Sequence, residues 1–138
     1  MKALLYEMFV GDLSLKRVFR SLLLIPLVVY IGLLIVALFF ADSVLFRPQA
    51  ASYTDTAQVI KLSTPNGDRI SAKFYENPSA KFTILFSHGN AEDIGSIESF
   101  ILKLQENGFS VLSYDYRGYG TSDGIPSEEH CYEDVHTA

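Results

Sequence analysis

The sequence of 138 residues predicts an α/β domain that follows one membrane-spanning helix. Three observations support this fold class: an uncharged apolar run near the N-terminus, an Asn-Gly pair between two strand-like stretches, and two short apolar strands separated by a helical pattern. A strand, a helix and a second strand in this order imply a right-handed parallel crossover. We therefore expect a sheet that begins with a hairpin and continues with parallel strands.

The apolar run begins at Leu22, ends at Ala41 and contains no charged residue. At about 1.5 Å per residue it spans roughly 30 Å, which is the thickness of the hydrocarbon core of a bilayer. Because a backbone in lipid must satisfy its own hydrogen bonds, we predict a transmembrane signal anchor over residues 21–41, preceded by a cytoplasmic tail of residues 1–20. A cleaved signal peptide and a buried core helix are the alternatives.

The charges that flank this run predict its orientation. Lys16, Arg17 and Arg20 precede it, whereas only Arg47 follows it closely. The positive-inside rule then puts the N-terminus in the cytoplasm and residues 43–138 on the extracytoplasmic side. We expect a single-pass membrane protein whose apolar run has the lipid bilayer as its partner.

Charge and composition argue against several partners and cofactors. Residues 43–138 contain seven lysines and arginines and thirteen aspartates and glutamates, a net charge of −6. This balance argues against nucleic acid or an anionic membrane surface as a partner. Cys131 is the only cysteine, and the three histidines have no metal-ligand spacing, so we expect no disulfide, no metal and no cofactor.

A linker is predicted over residues 42–55, and the remaining chain, residues 56–138, reads as hairpin, strand, helix, strand, loop and helix. An Asn-Gly pair between two strand-like runs is a strong hairpin signal. The first strand, the turn pair and the second strand of this hairpin are residues 57–64, 66–67 and 69–75.

Two short apolar runs, residues 82–86 and 109–114, contain β-branched and aromatic side chains. Such runs are typical of strands that are buried on both faces of a sheet. Apolar residues at helical spacing lie between them, with Ser96 as the expected N-cap and Gly108 as the expected stop. A final helix is expected after Ser127, which can cap it.

The sequence Ser-His-Gly-Asn-Ala at residues 87–91 directly follows the first apolar strand. A glycine after a strand lets the chain turn sharply and expose backbone N–H groups. Enzymes that transfer acyl groups need such donors to bind the developing oxyanion. On its own, this motif also fits an ordinary turn with a hydrogen-bonded histidine.

A glycine-rich stretch at residues 115–124 follows the second apolar strand and reads Asp-Tyr-Arg-Gly-Tyr-Gly-Thr-Ser-Asp-Gly. Its three glycines and polar residues predict a tight surface loop. In α/β sheets, binding sites lie beyond the carboxyl ends of the strands, and both motifs lie at such ends. We therefore expect both loops to border the site.

Together, the two motifs and the helix between them resemble the N-terminal half of the α/β-hydrolase superfamily. The resemblance covers residues 82–138 well and residues 56–81 loosely. The chain is similar to one branch of membrane-associated serine hydrolases, which includes the α/β-hydrolase-domain protein depalmitoylases. Those enzymes are held at the membrane by lipidated N-terminal cysteines, whereas this chain has no cysteine before Cys131, so their substrate is not carried over.

The resemblance implies a serine hydrolase that cleaves an acyl ester or thioester through an acyl-enzyme. The loop at residues 87–91 would supply the oxyanion hole through the backbone N–H of Asn90 or Ala91. The residues that would support the two loops are His88, Gly89, Asp115 and Arg117.

Residues 120–124 match the Gly-x-Ser-x-Gly pattern of a nucleophile elbow, with Ser122 at the centre. An elbow follows a strand directly and opens a helix, but here residues 117–119 intervene, and Pro126 disfavours helix just before it. We therefore reject Ser122 as the nucleophile and assign no catalytic residue in this chain.

Two hypotheses for the function follow. In the first, the chain is an incomplete membrane-anchored serine hydrolase whose nucleophile, acid and catalytic histidine come after residue 138. In the second, it is a non-catalytic single-pass membrane protein that uses a hydrolase-like half-domain for interaction. The strand order of the family leaves residues 82–86 at an exposed sheet edge, which a protein partner would cover.

Overall fold

The computed structural model describes residues 15–138 and divides into two compact units, the first ending at Ala41 and the second spanning Asp42–Ala138. Residues 1–14 of the predicted cytoplasmic tail lie outside the described residues, and the remainder of that tail is helical. The signal anchor was predicted in the first unit, and the two motif loops lie in the second.

The first helix, α1, covers Leu15–Phe39. Its stretch Val18–Phe39 has a mean hydropathy of 3.0 and is long enough to cross a membrane. The helix ends two residues before the predicted end of the span, because Ala41 already belongs to a second short helix, α2 (Ala41–Leu45). One long apolar helix that is compatible with a membrane span therefore precedes the sheet, as predicted.

The second unit contains a four-stranded mixed sheet in the order β1-β2-β4-β3. Its strands are β1 (Ile60–Ser63), β2 (Arg69–Tyr75), β3 (Thr83–Ser87) and β4 (Ser110–Tyr114). Strands β1 and β2 pair antiparallel, as do β2 and β4, whereas β3 and β4 pair parallel. The predicted hairpin and the parallel pairing of the two apolar strands are both confirmed.

The hairpin turn depends on the conformational freedom of Gly67, whose φ is +96°. Hydrogen bonds from Thr64 N to Asp68 O at 2.8 Å and from Gly67 N to Thr64 O at 3.0 Å close the turn. Strand β1 begins three residues later than predicted. The delay arises because Val59 N donates to Thr56 O and folds the preceding residues into a turn of their own.

The sheet is covered by two helices, α3 (Glu98–Glu106) and α4 (Glu128–Thr137). Val111 and Tyr114 of the central strand β4 point to opposite faces of the sheet. Val111 packs in one apolar core with Ile101 of α3, and Tyr114 packs in the other core with Val135 of α4. The second unit therefore has three layers, with the sheet between the two helices.

The start of α4 was predicted correctly, but the start of α3 was not. Ser127 caps α4 by accepting a hydrogen bond from His130 N at 3.1 Å. The predicted Ser96 cap is wrong, because α3 begins only after Ile97, whose side chain cannot cap it. Ser96 is held in the preceding turn instead, since its hydroxyl accepts from Asp93 N and donates to Asp93 O, both at 2.9 Å.

The prediction that both apolar strands are buried on both faces holds only for β4. In that strand Val111 and Tyr114 are fully buried. In β3, Leu85 is 44% exposed, and Phe82 just before the strand is 71% exposed. The reason is that β3 pairs with one neighbour only within the described residues. The exposed edge that the family's strand order predicts is found there.

Candidate functional site

The two motif loops meet beyond the carboxyl ends of β3 and β4. These strands are parallel neighbours whose last residues are paired in register. The first loop (residues 88–91) and the second loop (residues 115–124) therefore leave the sheet at the same edge. There, His88 Nε2 of the first loop lies 3.5 Å from Asp115 Oδ1 of the second loop.

His88 is fixed within the first loop by hydrogen bonding and packing. Its side chain is fully buried, and Nδ1 lies 2.8 Å from Gly89 O. Because a carbonyl oxygen only accepts, Nδ1 carries the hydrogen. The ring packs against Tyr116 and Tyr119, at centroid distances of 4.9 and 5.2 Å. Nε2 faces Asp115 at a distance too long for a good hydrogen bond and has no other partner among the described residues.

The Asp115 carboxylate joins three segments of the chain. It is fully buried and accepts hydrogen bonds from Ile94 N at 2.7 Å and from Tyr53 OH at 2.5 Å. Burial raises the pKa of Asp115, while these hydrogen bonds and the nearby His88 act in the opposite direction. Burial and the adjacent Asp115 raise the pKa of Tyr53 to about 12, so the Tyr53 hydroxyl remains a donor at neutral pH.

The first loop presents two consecutive backbone donors. Ala91 has a φ of +65°, a left-handed conformation that costs a non-glycine residue about 1–2 kcal/mol. The turn is closed by hydrogen bonds from Gly89 N to Glu92 Oε2 at 2.8 Å and from Glu92 N to Gly89 O at 3.3 Å. Within residues 15–138, the N–H groups of Asn90 and Ala91 donate to no other group. The family resemblance implies one of these two N–H groups, that of Asn90 or that of Ala91, as a donor to an oxyanion.

The side chain of Asn90 joins the first loop to residues 42–55, which we call the connecting segment. Asn90 Nδ2 donates to Leu45 O at 2.6 Å, and Asn90 Oδ1 accepts from Arg47 N at 3.0 Å. Asn90 Oδ1 also accepts from Tyr119 OH at 2.7 Å, which links the second loop to the same amide. Sequence reasoning treated this segment as a linker and missed these contacts, because no motif or periodicity indicates them.

A mostly apolar cavity of about 370 Å³ lies beside the first loop. Its volume is within the range of small-molecule sites. Burial raises the pKa of Cys131, one of the lining residues, to about 11, so the thiol is protonated and weakly nucleophilic at neutral pH. The lining residues come from the connecting segment, both loops and α4: Leu45, Phe46, His88, Gly89, Asn90, Tyr116, Tyr119 and Cys131.

Arg117 attaches the second loop to α4. Its side chain is fully buried, and Nε donates to Asp134 Oδ1 at 2.7 Å, while its backbone N–H donates to Asp134 Oδ2 at 2.8 Å. The guanidinium also donates to Glu133 Oε2 at 2.6 Å. Sequence reasoning selected Arg117 as a loop support but missed these acidic partners, since acidic residues on a short helix usually face solvent.

Ser122, the centre of the Gly-x-Ser-x-Gly match, is bonded to one backbone group of β2 and to one backbone group of its own loop. Its Oγ accepts from Ser71 N at 2.9 Å and donates to Asp115 O at 3.1 Å. No helix opens directly after it, since α4 begins at Glu128. In the described part of the chain, no histidine is hydrogen-bonded to the Ser122 hydroxyl. Its rejection as a nucleophile stays a prediction.

Comparison with known proteins gives similarity over the residues that contain both loops. The family model described as serine aminopeptidase, S33, matches residues 78–138. The curated α/β-hydrolase domain-containing protein 17B of Homo sapiens is 42% identical over 86 residues, and that of Xenopus tropicalis is 43% identical over 86 residues. Each alignment covers 61% of this chain but 30% of the relative, so the chain matches less than a third of the length of these relatives.

The solved structures that are similar to this chain include two hydrolase-fold proteins. An esterase from Pyrococcus furiosus has a TM-score of 0.54 at 19% identity, over 67% of this chain and 39% of that chain. An α/β serine hydrolase homologue from Coxiella burnetii has a TM-score of 0.50 at 17% identity, over 62% of this chain and 44% of that chain. At these identities the likeness concerns the fold alone, and it agrees with the sheet described above.

Proposed function

We propose that this chain, which belongs to the α/β-hydrolase superfamily, supplies the oxyanion-hole loop of a serine hydrolase that cleaves an ester or thioester bond. The observation that carries this proposal is the pair of backbone N–H groups at Asn90 and Ala91, which have no partner within the described residues. They lie in a strained turn at the carboxyl end of β3 and beside an apolar cavity. Backbone donors of this kind stabilise the negative oxygen of a tetrahedral intermediate.

In the proposed reaction, a serine Oγ bonds to the carbonyl carbon of the substrate while the serine proton passes to a histidine. The carbonyl oxygen becomes an oxyanion, to which the Asn90 and Ala91 N–H groups donate. The bond to the alcohol or thiol leaving group then breaks, the leaving group takes the proton, and water hydrolyses the acyl-enzyme. Each donor of an oxyanion hole typically contributes roughly 100- to 1000-fold to kcat.

The supporting residues of this proposal do not react with the substrate. Gly89 donates its backbone N–H to Glu92 Oε2 and so helps to close the turn after β3. The buried His88 and Asp115 hold the base of the first loop, and Arg117 holds the second loop on α4. The nucleophile, the acid and the catalytic histidine are not assigned to residues of this chain. We assign them to the part of the protein that corresponds to the remaining length of the longer relatives.

We also propose that α1 anchors the protein in a bilayer, with the N-terminus in the cytoplasm and Asp42–Ala138 on the opposite side. The hydropathy of α1 and the basic residues before the apolar run that begins at Leu22 support this proposal. Alkaline extraction of membranes should leave the chain in the pellet, and deletion of residues 21–41 should release it. Protease added to the cytoplasmic side of sealed vesicles should leave the second unit intact, and its digestion would refute the orientation.

A fluorophosphonate probe tests the proposed chemistry. A native product that contains these residues together with a nucleophile elbow should be labelled on the elbow serine, and Ser122→Ala should leave that labelling unchanged. The 138-residue chain by itself should not be labelled. If the 138-residue chain is labelled and Ser122→Ala abolishes the labelling, Ser122 is the nucleophile and our assignment is wrong.

A non-catalytic interaction protein is the second candidate, and the exposed edge of β3 favours it. Leu85 and Phe82 leave apolar surface beside backbone groups that pair with no second strand within residues 15–138, which is the kind of edge that pairs with another chain. This candidate predicts a stable complex that contains the chain and no labelled serine in any product. A labelled product from the native gene would decide against it.

A further inference from the structure

The connecting segment, residues 42–55, is hydrogen-bonded to the first loop, to Asp93 just after it and to the second loop. Linkers between structural units ordinarily make few contacts with the units that they join. We propose that the connecting segment is a positioning element, which holds the first loop in the conformation that presents the Asn90 and Ala91 N–H groups. This inference rests on the proposed function, since it takes the first loop as the oxyanion hole.

The first contact point is the Asn90 amide, which bonds to the backbone of the connecting segment in both directions. The amide donates to Leu45 O at 2.6 Å and accepts from Arg47 N at 3.0 Å. Because both ends of one planar group are engaged, the Asn90 side chain cannot rotate without losing both hydrogen bonds. Arg47 N also donates to Tyr119 OH at 3.1 Å, so one backbone N–H of the segment contacts both loops.

The second and third contact points are Asp93, two residues after the first loop, and Asp115, at the start of the second loop. Ser52 donates to Asp93 through its backbone N–H at 2.7 Å and through its hydroxyl at 2.5 Å. Although burial raises the pKa of Asp93, hydrogen bonds from Ser52 and Ser96 lower it on balance, as expected for an ionised acceptor. Tyr53, the next residue of the segment, donates to the buried Asp115 carboxylate at 2.5 Å.

These contacts make the conformations of the first loop and the connecting segment interdependent. Leu45 and Phe46 of the segment also line the 370 Å³ cavity, together with Cys131 of α4. Release of the segment would therefore open this cavity and free the Asn90 amide at the same time. Since the segment begins three residues after the end of α1, the proposal makes the geometry of the site depend on residues that follow the apolar helix closely along the chain.

Two substitutions at Arg47 separate the backbone contact from the side chain. Arg47→Pro removes the N–H that donates to Asn90 and Tyr119. Arg47→Ala keeps that N–H and removes only a guanidinium that makes no hydrogen bond within the described residues. Cys131 is the only cysteine of the chain, so its rate of reaction with a maleimide reports on the cavity. The full chain in detergent micelles is the sample.

We expect Arg47→Pro to raise the rate at which Cys131 reacts with maleimide about tenfold. A tenfold change corresponds to about 1.4 kcal/mol, which is the net free energy expected from the lost hydrogen bonding. Arg47→Ala should react at the rate of the unsubstituted chain. Equal rates for all three proteins would overturn the proposal. An equal rise in both variants would also overturn it, because the backbone N–H would then be irrelevant.

Asn90→Asp is a second test that leaves the backbone of the connecting segment unchanged. The carboxylate can still accept from Arg47 N but can no longer donate to Leu45 O. The Asn90→Asp substitution should also raise the rate at which Cys131 reacts with maleimide severalfold. The near-ultraviolet circular dichroism of the tyrosines should be retained. A rise that occurs only with loss of this signal would mean general unfolding and would overturn the proposal.

The positioning role and the hydrolase function can fail separately. In a longer native product that hydrolyses esters, Arg47→Pro should lower kcat about tenfold with little change in KM, and Arg47→Ala should change neither. A hydrolase whose kcat is unaffected by Arg47→Pro would refute the positioning role alone. If no product hydrolyses esters, the hydrolase function fails, and the maleimide rates still decide whether the segment holds the loop.

Discussion

Arg117 is bonded to two adjacent carboxylates of α4 that differ in burial, and this difference predicts unequal costs for removing them. Asp134 is fully buried and accepts from both the guanidinium and the backbone N–H of Arg117. Glu133 is 40% exposed and accepts from the guanidinium alone. Asp134→Ala should lower the free energy of unfolding by about 3–5 kcal/mol, because it leaves a buried cation without its main partner. Glu133→Ala should cost less than about 1 kcal/mol, because water replaces an exposed partner.

Urea unfolding of the full chain in detergent micelles, followed by the near-ultraviolet circular dichroism of the tyrosines, measures both variants. Tyr114 and Tyr119 are buried reporters in the second unit, and the sequence contains no tryptophan. Because small domains have a total stability of about 5–15 kcal/mol, the Asp134→Ala loss would be a large fraction of the whole. Equal losses for Asp134→Ala and Glu133→Ala would refute the argument that burial sets the strength of these contacts.

Two further predictions use the same unfolding assay. Gly120→Ala should be more destabilising than Gly67→Ala. Both residues have a positive φ, but only a Cβ on Gly120 would overlap a neighbouring group, the Asp115 carboxylate. Similar losses of unfolding free energy for the two variants would contradict this prediction. The hydrogen bond from Lys73 lowers the pKa of Glu98, so this contact should stabilise the fold above the ordinary Glu pKa of about 4.5 and lose its contribution as the pH falls through the lowered value. Lys73→Met should remove this part of the acid sensitivity, and an unchanged pH profile would count against the assignment.

The features that the sequence predicts well have causes that are local along the chain. The Asn-Gly turn requires a positive φ at Gly67, and the structure has it there. Ser127 caps the helix that directly follows it. The two loops that carry the family resemblance each follow one strand, and the superfamily assignment made from them is supported by the family model that matches residues 78–138 and by a relative that is 43% identical, while the solved structures agree with the fold.

The features that the sequence does not predict depend on residues that are far apart along the chain. The burial of β3 depends on whether a second strand lies beside it, so the apolar run that contains Leu85 could not reveal it. The Asn90 amide reaches Leu45 and Arg47 across 45 and 43 positions, and nothing local distinguishes it from an ordinary turn residue. The two loops can therefore be located from motifs, whereas the contacts that hold them follow only from the tertiary structure. Arg47→Pro and Arg47→Ala test the contacts that hold the loops, which the family resemblance does not predict.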